Sequence, residues 1–310
     1  MRPVLVGLFG CAALAAGAAT YTWTGAGDAT KWTDKANWGG AGYPTGGDTA
    51  KFTADAKNIT ENFEIGPGVM AVDVASGKDV YLKGVVSGAG GIKKTGSGKF
   101  RLYNQANTYA GTTECAGGEL WFYTLANIGE ASSFGAPAEE NAQIKLSSGT
   151  LYMETQSNAA AAYSTDRPFY LNGFFRGSMQ PGVKVDLHGA LTGKSCTWRG
   201  AITFNVHVPI PSTFTGKFGR TDNGVVNMLC PTNEYLLGSS TTLEMSDGTF
   251  RGTIADKGLP SGLGAGNSIQ FGQQNYPTTG AIFYNGTTST NCNRDLMIMV
   301  ATNGNYTTAR

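Results

Sequence analysis

Five carboxylates, Glu154, Asp166, Asp186, Glu244 and Asp256, are the candidates for acid–base or calcium-assisted chemistry on a polysaccharide. Glycoside cleavage requires two carboxyl groups at a set separation, and calcium requires an Asp-rich loop. No such loop occurs, and nothing in the spacing brings the five together: Asp166 precedes Arg167 at a turn, and Asp186 falls on the solvent side of an alternating segment. The two histidines, His188 and His207, leave little from which to build an imidazole triad or metal centre. Gly96-Ser97-Gly98-Lys99 looks like the end of a phosphate loop, but Phe100 stands where Ser or Thr must follow, and Gly262 to Gly266 lacks dinucleotide spacing. Both read as corner turns, and no cofactor is expected. Trp23, Trp32, Trp38 and Tyr43 are the candidates for stacking on a sugar ring. They also suit a plug over the open end of a stacked fold, the favoured reading because large rings are more often buried than exposed. Tyr81, Tyr103, Trp121, Tyr123, Tyr152 and Tyr170 fall in strand patterns as outward stripes or core stacks. Lys93, Lys94, Lys99 and Arg101 read as a solvated edge that discourages strand pairing.

The elements that must position these groups are short. Val72-Asp73-Val74, Val80-Tyr81-Leu82, Phe100-Arg101-Leu102, Leu120-Trp121-Phe122, Ile144-Lys145-Leu146 and Val183 to Leu187 alternate with period two between Gly, Asn, Ser and Pro, the signature of strands and turns. No stretch of a dozen residues carries a helical stripe; Ala159 to Ala162 would make at most one turn of helix. Glycine is abundant, 45 of 310 residues, about twice the usual share. Charged residues are 15% and the net charge is +1, too few cations in excess for a nucleic-acid partner. Hydrophobic residues at 41% can fill a core, which excludes a disordered polyelectrolyte.

Residues 1–19 have the form of an export signal: Arg2, an apolar run from Val4 to Ala16, then small residues at the cleavage point. The run is too short for a bilayer, which takes about 20 residues. Leu8-Phe9-Gly10-Cys11 loosely resembles a lipobox, though Phe9 is bulky, so lipidation of Cys11 is the minor alternative. Removing the signal leaves Cys115, Cys196, Cys230 and Cys292, whose spacing shows no zinc pattern; disulfides and buried thiols both fit.

Thr95-Gly96-Ser97-Gly98 to Leu102, then Asn107-Thr108-Tyr109, Gly118-Glu119-Leu120 and Gly135, is answered by Thr221 to Met228 with Gly224, then Asn233-Glu234-Tyr235, Gly248 and Gly264. The order is kept and the offset is nearly constant, from Thr95 to Thr221, from Gly118 to Gly248 and from Gly135 to Gly264. Such self-similarity points to a solenoid with several coils per unit, each too small to bury its own apolar face. The division expected is a signal at 1–19, a Trp-rich cap segment at 20–66, a first solenoid unit at 67–215 and a second, truncated one at 216–310. A pair of β-sandwich domains is the alternative fold.

Gly90 to Leu102, Ala106 to Thr113 and Gly117 to Leu120 resemble the autotransporter-associated β-strand repeat, matched at Thr95, Gly96, Gly98, Leu102, Asn107, Tyr109, Gly118 and Leu120. The later copy keeps Gly224, Asn233, Tyr235 and Gly248. Glu114 departs from the pattern, where an apolar residue is usual, which predicts a bulged or shifted strand. The resemblance implies an all-β, right-handed parallel β-helix at the cell surface or released from it. In full-length relatives a C-terminal outer-membrane barrel follows; the end at Thr307-Thr308-Ala309-Arg310 shows no terminal aromatic, so a translocator or anchor is expected outside this chain. The function expected is a non-enzymatic stalk or adhesin-like segment, with glycans or other cell-surface molecules as partners. A carbohydrate-binding or carbohydrate-cleaving protein on the same scaffold is the runner-up.

Overall fold

The computed structural model describes residues 18–155, 161–178, 182–211, 214–222 and 224–229. Beyond residue 229 it describes the backbone of six strands: Thr242–Met245, Thr249–Gly252, Ser268–Phe271, Ala281–Tyr284, Asp295–Thr302 and Asn305–Ala309. The chain is a β-solenoid. Its strands pair in parallel from one coil to the next, and the last two, Asp295–Thr302 and Asn305–Ala309, pair antiparallel. The only helical pieces among the described residues are two short 3-10 turns, Lys35–Trp38 and Glu139–Asn141. Ala162, the end of the run that is too short to stand as a helix, opens the strand Ala162–Thr165. No helix among the described residues is long and apolar enough to cross a membrane.

Each coil presents three faces. The first stacks Thr49–Phe52, Val69–Val74 and Gly91–Thr95; the second stacks Ala56–Ile59, Asp79–Leu82 and Lys99–Leu102. Between residues 113 and 199 these two faces are carried by single long strands, Thr113–Phe122, Ile144–Met153, Phe169–Gly177 and Leu191–Arg199. The third face includes Ala162–Thr165, Lys184–Leu187, Thr203–Val206 and Val225–Met228. Coil length is read from the register: Thr49 pairs with Ala71, then Lys93, Glu114, Lys145, Tyr170 and Thr192. The step from Glu114 to Lys145 is the longest in this ladder.

Alternation along the strands sends every second side chain inward. On the second face Val80, Phe100, Leu120, Leu151, Phe175 and Trp198 lie in one inward column, all fully buried. No coil could bury these side chains alone, so the core exists only by stacking. The corner between the first two faces is a Gly96-Ser97-Gly98 turn in one coil and a bulge at Ala116 to Gly118 in the next. Gly118 has φ 59°, and a Cβ there would lie 2.4 Å from the Gly98 carbonyl oxygen, so only glycine fits. The irregularity expected near Glu114 is present, but it falls at Ala116 to Gly118. Glu114 itself points outward to Lys93 at 3.3 Å.

The internal similarity does not follow the stacking. It matches Lys99–Leu102 to Val225–Met228, which lie on the second and third faces respectively, whereas Phe100 stacks coil by coil toward Arg220. Tight glycine corners recur more than once per coil, so likeness between corners does not say which face follows. Gly98 and Gly224 share that role: a Cβ on either would meet a carbonyl oxygen of the preceding coil at 2.2 or 2.3 Å.

Candidate functional site

Trp23, Trp32 and Trp38 are buried against Phe52 and Phe63 of the first coil, with Trp32 and Phe63 stacked at 4.7 Å. The indole N–H of Trp32 donates to the Pro44 carbonyl at 2.9 Å, and that of Trp38 to the Trp32 carbonyl at 2.6 Å. Buried rings offer no face to a saccharide, so the glycan-stacking assignment is corrected for these three: they plug the end of the stack. Tyr43 is exposed, at 36%.

The repeat-motif residues are structural where described. Asn107 is buried, accepts from the Val86 N–H at 2.8 Å, and donates to the carbonyls of Asn104 and Ser133. Tyr109 is buried with its hydroxyl 2.7 Å from Thr113 Oγ1, and burial pushes its pKa up to about 12. Leu102 and Leu120 are core, and Thr95 ends its strand just before the positive-φ Gly96. Cys115 and Cys196 are buried free thiols, pushed up by burial, Cys115 to about 11. Cys11, Cys230, Cys292, Asn233, Tyr235, Gly248 and Asp256 lie outside the described residues, as does the Glu244 side chain.

The basic group is only in part a solvated edge. Lys93 and Lys99 reach solvent and approach Glu114 and Glu119, but Lys94 and Arg101 are buried. The Lys94 ammonium donates to the carbonyls of Thr95, Gly96 and Gly117, and burial lowers its pKa to about 8. The period-two pattern demands this: Ile92 and Lys94 both point inward, and the inward corner carbonyls need a donor. Arg167 does the same for Ala142 and Phe134, and Arg220 for Trp198, Thr221 and Gly200.

The outer surface of the second face carries two columns. One runs Tyr81, Arg101, Trp121, Tyr152, Arg176, Arg199. Strand spacing of about 4.8 Å brings planar groups into stacking range. The Arg101 guanidinium sits 3.8 Å from the Trp121 ring and 4.7 Å from Tyr81, and Trp121 stacks on Tyr152 at 3.7 Å. Arg101 is also held by Asp79 through two hydrogen bonds, 2.8 and 2.7 Å, and donates to the Tyr103 hydroxyl, which donates to Glu154 at 2.6 Å. Burial works against the Arg101 charge, but Asp79 prevails and its pKa is raised. These aromatics resolve as an outward stripe whose ring faces cover one another. The described candidate carboxylates each have a separate partner: Glu154 serves this stripe, Asp166 accepts from the Ile128 N–H at 2.8 Å, and Asp186 lies on the third face.

The neighbouring column runs Asp79, Lys99, Glu119, Thr150, Phe174, Thr197. Beside its first three members, a hollow of about 300 Å³ is lined by Asp55, Lys57, Lys78, Asp79, Lys99 and Glu119, among which Lys57 pairs with Asp55 and Lys99 with Glu119. Farther along, a hollow of about 330 Å³ is lined by Asn172, Phe174, Ser195, Thr197, Arg199 and Lys217 among others, with no carboxylate among the described lining residues. Phe174 is 37% exposed because Thr150 and Thr197 flank it, and the Arg199 guanidinium lies 4.0 Å from its ring. An exposed ring, two cations, hydroxyls and an amide form a surface suited to an acidic saccharide.

Sequence reasoning misses the meeting of the two histidines. His188 and His207 stack at 4.2 Å on the third face, beside Asp186. Their separation in the chain is close to the length of one coil, which is the signal that could pair them.

The chain is 32% identical over 183 residues to the adhesin BmaC autotransporter of Brucella suis biovar 1 (strain 1330), an alignment covering 58% of the chain. It is similar to an autotransporter adhesin. The likeness and the β-solenoid agree with each other, as in passenger-like segments of autotransporters. The chain spans about 5% of that adhesin's length. No family model matches it, and no solved structure does.

Proposed function

We propose that this chain is an exported, adhesin-like passenger segment, held at or beyond the cell surface, that binds rather than cleaves its partner. The hollow around Phe174, Arg199 and Lys217 receives an acidic saccharide. The observation carrying this reading is a partly exposed aromatic ring beside two cations in a concavity with no carboxylate among its described lining residues. Glycoside cleavage needs a pair of carboxyl groups, and the described lining of this hollow offers none, which supports capture without turnover. The similarity to an adhesin supports the same reading, and the form of residues 1–19 supports export.

The test is a panel of uronate- and sialate-bearing oligosaccharides against neutral ones of equal length. Saturable, salt-sensitive binding of the acidic members is expected. It should fall about tenfold in Phe174→Ala, equivalent to about 1.4 kcal/mol and in the range of one good ring contact. Equal binding of neutral sugars, or steady release of shortened products, would refute the proposal.

A further inference from the structure

The third face carries a side-chain cluster that the saccharide reading does not use. Thr165, Leu187, Val206 and Met228 stack in register there, and residues 188 and 207 follow the second and third of them. Their backbones are fixed in the stack: the His188 N–H donates to the Thr165 carbonyl at 2.9 Å and the His207 N–H to the Leu187 carbonyl at 3.0 Å. Both imidazoles therefore leave the solenoid at the same corner, one coil apart, with ring planes 15° from parallel. Asp186 Oδ1 lies 2.7 Å from His207 Nε2. One ligand atom from each of the three residues lies within 4.8 Å of the others.

From this geometry we infer that Asp186, His188 and His207 form a three-ligand site for a divalent transition-metal ion, with Zn²⁺ the best fit, clamping two successive coils. Two imidazoles and one carboxylate suit zinc, nickel or copper; calcium and magnesium prefer oxygen ligands, of which the cluster supplies few. Ligand atoms around tetrahedral zinc stand about 3.3 Å apart, given bonds of about 2.0–2.2 Å. Closing to that separation from within 4.8 Å takes side-chain rotation and, where His207 binds through Nε2, exchange of its contact with Asp186 Oδ1 for the metal. His188 is exposed, and its ring has no hydrogen bond to a described residue, so it can turn toward the other two ligands.

A supporting layer is already in place. Asn205 Nδ2 donates to Asp186 Oδ1 at 3.0 Å, and Asn227 Nδ2 donates to Asn205 Oδ1 at 2.7 Å. This amide chain, itself in register across three coils, orients the carboxylate through Oδ1 alone, leaving Oδ2 for a metal. Carboxylates and imidazoles held by such outer partners are the usual construction of metal centres. Three protein ligands leave a fourth position open to water.

The experiment is a competition titration of the chelator-treated protein with ZnCl₂ against a chromophoric chelator, alongside the His188→Ala/His207→Ala double variant and Asn205→Ala. The wild type is expected to take up one more equivalent of zinc than the double variant. Asn205→Ala, whose ligands are intact, is expected to weaken that equivalent about tenfold. Zinc at saturating concentration should raise the melting temperature of wild type above that of the zinc-free protein, and leave the double variant unmoved. Equal stoichiometry in wild type and double variant overturns the site, as does the absence of zinc uptake. The double variant's circular dichroism and zinc-free melting temperature, matched to wild type, separate lost ligands from lost folding.

Discussion

One outward column on the second face contains two different surfaces. Asp79, Lys99 and Glu119 lie in its early coils, where Asp79 grips Arg101, Lys99 approaches Glu119 at 3.9 Å, and the adjacent rings of Trp121 and Tyr152 cover each other. Thr150, Phe174 and Thr197 continue the same column, and there the ring has only threonines as its column neighbours, with the Arg199 guanidinium of the adjacent column 4.0 Å from it. On a stacked fold, then, an aromatic side chain does not by itself make a binding surface. A ring between planar neighbours on both sides spends its faces on rigidity, whereas Phe174, between threonines and beside one guanidinium, stays 37% exposed.

Arg101 is the strongest probe of this contrast. Arg101→Ala strands a largely buried Asp79 carboxylate and removes a guanidinium from between two rings, so a loss of about 2–4 kcal/mol in denaturant unfolding is expected, with acidic-saccharide binding unchanged. Phe174→Ala should do the reverse: about tenfold weaker binding in titration calorimetry, and unfolding within about 0.5 kcal/mol of wild type. A large stability loss in Phe174→Ala would show that both halves of the column are structural.

A subtler contrast concerns charge inside the stack. Lys94 has a folded pKa lowered to about 8, below that of an unfolded lysine near 10.4. Between these values the unfolded chain binds more protons at this site, so its contribution to stability rises with pH, by about 1 kcal/mol from pH 8 to 9. The buried thiols Cys115 and Cys196, whose pKa values are raised, work in the opposite direction over the same window, because an unfolded thiol ionises near pH 8.5. The lysine's share is isolated by difference: unfolding at pH 8 and 9 should move the stability of wild type relative to Lys94→Met upward by about 1 kcal/mol. An unchanged gap would mean that Lys94 is not held out of water. The smallest effect expected is that of Thr150→Tyr, which extends ring stacking toward Phe174: a gain of about 0.5–1 kcal/mol with weaker saccharide binding in the same calorimetric assay.

Much of the architecture is legible in the sequence because alternation and turn glycines are local signals. Val80-Tyr81-Leu82 and Leu120-Trp121-Phe122 announce both their strands and their inward residues. The stripe is half legible: Tyr81, Arg101 and Trp121 recur at an even interval, but the long coil between Glu114 and Lys145 hides Tyr152 as the next member. Lys94 is misplaced by a reading that weighs its charge above its position in the alternation, which puts it inside. The Phe174 hollow has no signal in sequence, because it is made by the small residues that fall above and below one ring. The histidine pair needs the coil length, which only the register reveals.

The step from Glu114 to Lys145 is longer than its neighbours in the ladder, yet the strands on either side of it keep their partners. The extra chain falls between residues 123 and 143, and its exposed tip at residues 129–131 is thus a graft point. A peptide spliced there would ride on the outside of the rod while the ladders on each side stay aligned. Lengthening a strand by one residue, in contrast, would turn an inward column outward along the rest of that strand.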